Sequence, residues 1–154
     1  MSEDNLTKIV LVQEDDDGAP DVESTWAEEL GGNKYKIKNF PFVFYGASYD
    51  DIVEAIPPND EDDIRPHFVR VIEKSGHKTV RVIFKASSAE SKDTEEILNV
   101  VANMGCGYEG NGDKYYVINI QPHCNFKEVC DYLSNQDIDW EHADPTYKEL
   151  YPND

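Results

Sequence analysis

The chain reads as an α+β protein: a small, partly open β-barrel or curled sheet over residues 1–74, packed on a C-terminal ferredoxin-like βαββαβ unit over residues 75–154. Three observations predict that class. Up to Lys74 the apolar residues fall in five short runs separated by Gly, Pro and acidic turns, the pattern of a small all-β unit. Beyond it, Ile97, Val100, Val101 and Met104 recur at helical spacing between strand-like runs. Gly110-Asn111-Gly112-Asp113 then carries the Asn-Gly pair that most strongly signals a tight hairpin.

The elements follow in order. Lys8 to Val12 is the first strand, and Gln13 to Pro20 is an acidic turn. Val22 to Leu30 alternates loosely around Trp26, expected to be a large apolar anchor, before Gly31-Gly32-Asn33 turns the chain. Lys34 to Lys38 alternates cleanly, with Tyr35 and Ile37 on one face and three lysines on the other. Pro41 interrupts four aromatics between Asn39 and Tyr45, so this stretch is expected to be a connection covering the core. Asp51 to Ile56 and His67 to Glu73 complete the five strands, divided by Pro57-Pro58 and an acid-rich loop. After the Ser75-Gly76-His77 break comes a strand from Lys78 to Ala86, then a helix from about Ala89 to Met104 that begins at Ser87-Ser88 and stops at Gly105. Cys106 to Glu109 and Lys114 to Ile120 flank the hairpin. Asn125 with Glu128 reads as a capping box for a second helix bearing Phe126, Val129, Cys130 and Leu133. Ile138 to Glu141 is the last expected strand, followed by an acidic tail. Strand, helix, two strands, helix, strand is the ferredoxin-like order, with one sheet face left to pack on the first unit.

Composition narrows the function classes. The formal net charge is -18, from 32 acids against 14 bases, and both halves share it: 18 acids to 7 bases up to Lys74, 14 to 7 after it. Nucleic-acid binding depends on Lys and Arg displacing counterions, so nucleic acid and anionic membranes are poor partners for such a surface. A basic protein is the natural complement. Two Trp, nine Tyr and six Phe separate this chain from disordered acidic sequences and supply residues favoured as interface anchors. Cys106, Cys124 and Cys130 are odd in number, lack Cys-x-x-Cys spacing and follow no secretory signal, which implies reduced thiols and a cytoplasmic protein. The apolar run from Ile9 to Val12 is too short to span a membrane.

Trp26-Ala27-Glu28 with Leu30; Tyr35, Ile37, Asn39 and Pro41-Phe42; Gly46; Asp51 with Val53-Glu54-Ala55; and Ser75-Gly76-His77 with Thr79 and Arg81 form a combination of motifs. Through them, residues from about 8 to 145 resemble a bacterial family, domain of unknown function 4265. The resemblance implies an N-terminal β unit joined to a C-terminal α/β unit. It brings no activity and no catalytic residues.

No motif names a reaction. His77 follows a glycine at the junction of the halves, where it reads as a turn residue bonding across the two units, or as a general base in a pocket near Trp26 and Phe42. Gly105 to Gly110 follows a helix, whereas phosphate cradles precede one, so it reads as a helix stop and hairpin. His67, His77, His123, Cys124 and His142 are too scattered for a local metal motif, and an EF-hand over Gln13 to Ser24 lacks carboxylates at both ends. No metal and no cofactor is therefore expected.

The acidic runs are the most distinctive surface chemistry. Asp15, Asp16 and Asp17, with Asp60, Glu61, Asp62 and Asp63, are the candidate partner-binding residues. The expectation is a non-enzymatic acidic inhibitor, an immunity protein neutralising a bacterial toxin or effector such as a basic nuclease. The alternative is a small enzyme or ligand-binding domain with its pocket between the units near His77. Oligomeric state leaves no mark in the sequence.

Overall fold

The computed structural model describes residues 6–14, 17–86 and 92–153. Two antiparallel sheets organise them. The first is a meander of β1 (Leu6–Glu14), β2 (Pro20–Gly31), β3 (Lys34–Ile37), β4 (Ile52–Ile56) and β5 (His67–Glu73). It curls until β5 meets β1 through one parallel pair, Val10 opposite His67, sealed by the Val10 N–H on Pro66 O at 2.8 Å. Inside lie Ile9, Leu11, Ala27, Tyr35, Ile37, Phe44, Ala47, Val53 and Ala55.

Trp26 is not among them. Thr25 and Ala27 take the inward positions of β2, so the two-residue period turns Trp26 outward, 44% exposed, with the Lys8 Nζ 4.9 Å above its ring. The apolar anchor expected from the sequence is instead Phe44, buried edge-on against Phe68 at 4.7 Å.

The second sheet contains β6 (Lys78–Ile83), β7 (Gly107–Gly110), β8 (Tyr115–Ile120) and β9 (Asp139–Asp144), in the spatial order β7-β8-β6-β9. Helix α1 (Lys92–Asn103) joins β6 to β7, and α2 (Phe126–Ser134) joins β8 to β9. The expected helix start at Ser87, Ser88 and Ala89 lies outside the described residues. Gly105, at φ 97°, turns the chain out of α1, a conformation that costs glycine little. At α2 only one arm of the expected capping box forms: Asn125 accepts from the Glu128 N–H. The full reciprocal box sits further on, at Thr146 and Glu149, where it starts a short helix α3 (Tyr147–Leu150) in the stretch expected to be a plain tail.

Both faces of β6 are covered, by different chemistry. Val80 and Val82 point with Ile118 and Ile120 into an apolar core closed by Ile97, Leu98, Val101, Val129 and Leu133 of the helices. Thr79 and Arg81, alternating with them, face the barrel and are just as buried. The seam between the units is therefore polar, and its order rests on hydrogen bonds more than on apolar area.

Candidate functional site

The connection from Asn39 to Tyr49 runs along that seam, and side chains hold both edges of its backbone. Glu23 accepts from the N–H groups of Phe42 at 2.6 Å and of Val43 and Phe44 at 3.1 Å. Arg81, 1% exposed, donates Nε and Nη2 to Pro41 O at 3.3 and 3.2 Å, and Nη2 also to Phe44 O. The Tyr115 hydroxyl donates to Phe42 O. Gln13 exchanges two hydrogen bonds of 2.9 Å with the Tyr45 backbone. Beyond the clamp, the Tyr45 hydroxyl donates to both Glu141 oxygens, at 2.9 and 2.7 Å. Burial, then that carboxylate, pushes the Tyr45 hydroxyl up to about 12.

A second cluster ties the strand ends together. Lys74 Nζ lies 2.5 Å from both Asp51 Oδ2 and Asp144 Oδ2. Ser48 donates to Asp144 Oδ2 at 2.5 Å and shares a 2.7 Å hydrogen bond with Thr79. Asp51 also accepts from the N–H groups of Ser48 and Ser75, both at 2.8 Å. Burial pulls the Lys74 ammonium down, but the Asp144 and Asp51 carboxylates outweigh it, so the group sits above its ordinary value. Every member has partners within the cluster, and Ser48 and Asp51 are fully buried, so this is an inter-unit lock rather than a reaction centre.

His77 borders a pocket of about 350 Å³ between the units, with Lys38, Phe40, Tyr49, Glu109 and Asn119 among its walls. Its Nδ1 pairs with Asn119 Nδ2 at 2.9 Å, a bond within the second unit and not the hydrogen bond across the two units that the sequence led us to expect. Its Nε2 faces Asp50 Oδ2 at 4.0 Å, and Asp50 Oδ1 holds Lys38 at 2.6 Å. Lys38 stands above its ordinary value because Asp50 offsets the effect of burial. Phe40 takes the place expected for Phe42, which packs instead toward Tyr115 at 6.5 Å. Trp26 is not among the pocket's lining residues.

The acidic runs sit on the barrel. Asp15 and Asp16 lie outside the described residues, and Asp17 is exposed at the tip of the β1–β2 hairpin. Asp60, Glu61 and Asp62 are exposed between β4 and β5. Asp63 is engaged: it binds Arg65 Nε at 3.1 Å and His67 Nε2 at 2.9 Å, and those hydrogen bonds hold its carboxyl well below the usual carboxylate range. Asp60 Oδ1 caps the Asp62 N–H at 2.9 Å. Arg65 Nη1 reaches Ser24 Oγ at 3.3 Å, which brings the loop beside the outward face of β2. Val22 (56% exposed) and Trp26 flank Ser24 on that face, and Ile64 (84% exposed) projects from the loop. Arg65, paired with Asp63, thus meets the outward face of β2 that carries Val22 and Trp26. The end of the β1–β2 ladder, Glu14 opposite Pro20, stands four residues beyond Ser24, about 13 Å along the strand, so Asp17 and the acids of the β4–β5 loop are separate patches.

The remaining candidates disperse. His142 lies among Phe126, Trp140 and Tyr147, with ring centroids 4.7 to 6.1 Å away, and burial lowers its affinity for a proton. Among the described residues, no group of three or more His, Cys, Asp and Glu side chains is placed to hold a metal ion. No helix among them is long and apolar enough to cross a membrane. Burial pushes the thiols of Cys106 and Cys130 up to about 12 and about 11.

Sequence reasoning singled out His77 and the acidic loop and passed over Lys38, Asn119 and the Lys74 lock, whose members lie up to 96 residues apart. Asp51, Thr79 and Arg81 carried a signal, as polar residues within otherwise buried runs.

A curled five-stranded sheet clamped by a polar seam to a four-stranded sheet with two helices defines a mixed α+β protein, mostly antiparallel. The chain belongs to the family described as Domain of unknown function (DUF4265), whose profile matches residues 23–143. Its fold is similar to that in a "Novel crystal structure of a hypothetical protein from Neisseria gonorrhoeae", with a TM-score of 0.75 and 17% identity over 92% of this chain and 96% of that one. No curated protein matches the sequence.

Proposed function

We propose that this protein is a non-enzymatic binding protein: a cytoplasmic inhibitor of the immunity type that neutralises a bacterial toxin or effector with a basic surface, such as a nuclease. The carrying observation is that Val22 and Trp26 stand exposed on the outward face of β2, which Arg65 of the acidic loop reaches, while that loop exposes Ile64 together with Asp60, Glu61 and Asp62, on a chain of net charge -18. An apolar patch rimmed by charge matches the anatomy of a protein interface, and the excess of carboxylates speeds encounter with a basic surface. In this reading Glu61 and Asp62 contact the partner, Asp60 and Asp63 shape the loop, and the hairpin acids around Asp17 extend the field. The unit boundary falls near residue 74, between β5 and β6. The strand order β7-β8-β6-β9 supports reading the second unit as ferredoxin-like.

The pocket beside His77 favours the alternative, a ligand-binding domain or small enzyme. Against a reaction centre, its two basic groups are already engaged, His77 with Asn119 and Lys38 with Asp50. The test is co-expression with the product of a neighbouring gene that encodes a toxic basic domain. The expected result is rescue of growth and co-purification of the two chains. Intact toxicity, with no complex retained, would sink the reading.

A further inference from the structure

Among the residues lining the seam pocket, Asn119 carries a buried acceptor that the fold leaves unpaired. Asn119, 4% exposed, donates its Nδ2 to His77 Nδ1 at 2.9 Å, while its Oδ1 has no hydrogen-bond partner. In the neutral imidazole, a lone pair at Nδ1 leaves the proton on Nε2, the nitrogen facing Asp50 Oδ2 at 4.0 Å. With the amide nitrogen directed at His77 Nδ1, the unpaired atom is the carbonyl oxygen, an acceptor. Buried polar atoms are seldom left unpaired, and those that are call for a partner.

The walls specify the partner further. Phe40 and Tyr49 meet edge to face at 5.5 Å, and Tyr49 meets His77 in the same way at 5.3 Å. Phe40 reaches its place because residue 107 is glycine: a Cβ there would stand 3.0 Å from Phe40 Cζ. Lys38 is the cation of the pocket, and it is already committed to Asp50 at 2.6 Å and to the Tyr49 ring at 4.6 Å. Gly107 pairs with Asn119, so the two-residue period sets Glu109, exposed on β7, on the same sheet face. The pocket thus offers one buried neutral acceptor, a carboxylate at its rim and aromatic rings, on a protein of net charge -18.

We infer that this pocket receives a guanidinium group, the arginine side chain of a basic protein partner. The inference rests on the binding reading given above. A guanidinium carries its N–H donors in a plane, so it can meet Asn119 Oδ1 and the Glu109 carboxylate together while its face lies against a ring. An ammonium has the charge but not the planar fork, and a phosphate or carboxylate would bring acceptors to an acceptor. About 350 Å³ lies at the small end of ligand pockets, enough for one side chain.

The test is an NMR titration of the full chain with N-acetyl-arginine methylamide, alongside its lysine and citrulline counterparts. The arginine compound is expected to shift the Asn119 side-chain amide and the His77 imidazole saturably, with a Kd of roughly 1 mM or weaker. Lysine and citrulline should bind more weakly, and Glu109→Gln, at an exposed position, should weaken arginine binding by about tenfold. Unmoved Asn119 and His77 signals, or equal shifts with citrulline and arginine, would overturn the inference. A silent pocket in a chain that still protects cells refutes the arginine site alone. Arginine binding without a neutralised toxin refutes the inhibitor reading and supports the guanidinium pocket.

Discussion

Replacing Arg81 with methionine tests the seam at its most buried charge. Methionine fills much of the arginine stem's volume, so the change removes charge and hydrogen bonds with little loss of packing. Three donations disappear, two to Pro41 O and one to Phe44 O, as does the ion pair with Glu141 at 3.7 Å. Each buried carbonyl left unpaired costs about 1–3 kcal/mol, and removing one member of a buried charged cluster typically costs about 3–5 kcal/mol. We therefore expect Arg81→Met to lose about 3–5 kcal/mol, which at about 2–4 °C per kcal/mol is a fall of roughly 6–20 °C in Tm. Urea unfolding followed by circular dichroism and by tryptophan fluorescence reads both the loss and the cooperativity. With the clamp gone, the two probes should separate, because Trp26 reports on the barrel and Trp140 on the second sheet. A loss below about 1 kcal/mol with coincident transitions would refute the reasoning, since an ordinary surface substitution does no more.

Three further outcomes follow from the same contacts. Tyr45 is pushed up to about 12 and Lys74 and Lys38 lie above their ordinary values, so the fold keeps protons that the unfolded chain releases. Stability from these groups is complete below the unfolded values near 10 and is lost as the pH climbs toward about 12; urea midpoints that stay level across that window would contradict it. Gly107→Ala sets a Cβ 3.0 Å from Phe40 and should cost about 1–3 kcal/mol by overpacking while displacing Phe40 from the pocket, as shifts of the ring's NMR signals would report. With thiols pushed up to about 12 and about 11, Cys106 and Cys130 should alkylate at about pH 8 at least a hundredfold more slowly in the native than in the unfolded chain. Equal rates in a mass-spectrometric time course would show these thiols to be exposed.

Local pattern carried the strands and helices; distance in sequence hid the site. The Tyr35 and Ile37 alternation and the Asn111-Gly112 turn are signals of two to five residues, and the fold uses both, with Asn111 N–H on Tyr115 O at 2.9 Å. Trp26 went to the surface because alternation states which residues share a face, not which face of a curled sheet is inside. The Thr146-x-x-Glu149 pattern was readable as a cap, but a four-residue helix has too short an apolar period to stand out in an acidic tail. The seam is the least legible part. Lys74 meets Asp144 across 70 residues and Tyr115 meets Phe42 across 73, and no local propensity encodes either contact.

The most direct measurement is the association rate between this protein and the basic partner proposed for it as a function of salt, for the natural chain and for a variant with Glu61→Gln and Asp62→Asn. Between about 0.1 M and 1 M salt the screening length falls from about 10 Å to about 3 Å. If carboxylates on the barrel wall guide a basic protein to Trp26 and Ile64, the rate drops steeply over that range and the variant starts low and changes less. An association rate indifferent to salt, or a variant that behaves like the natural chain, would contradict the role given to the acidic loop.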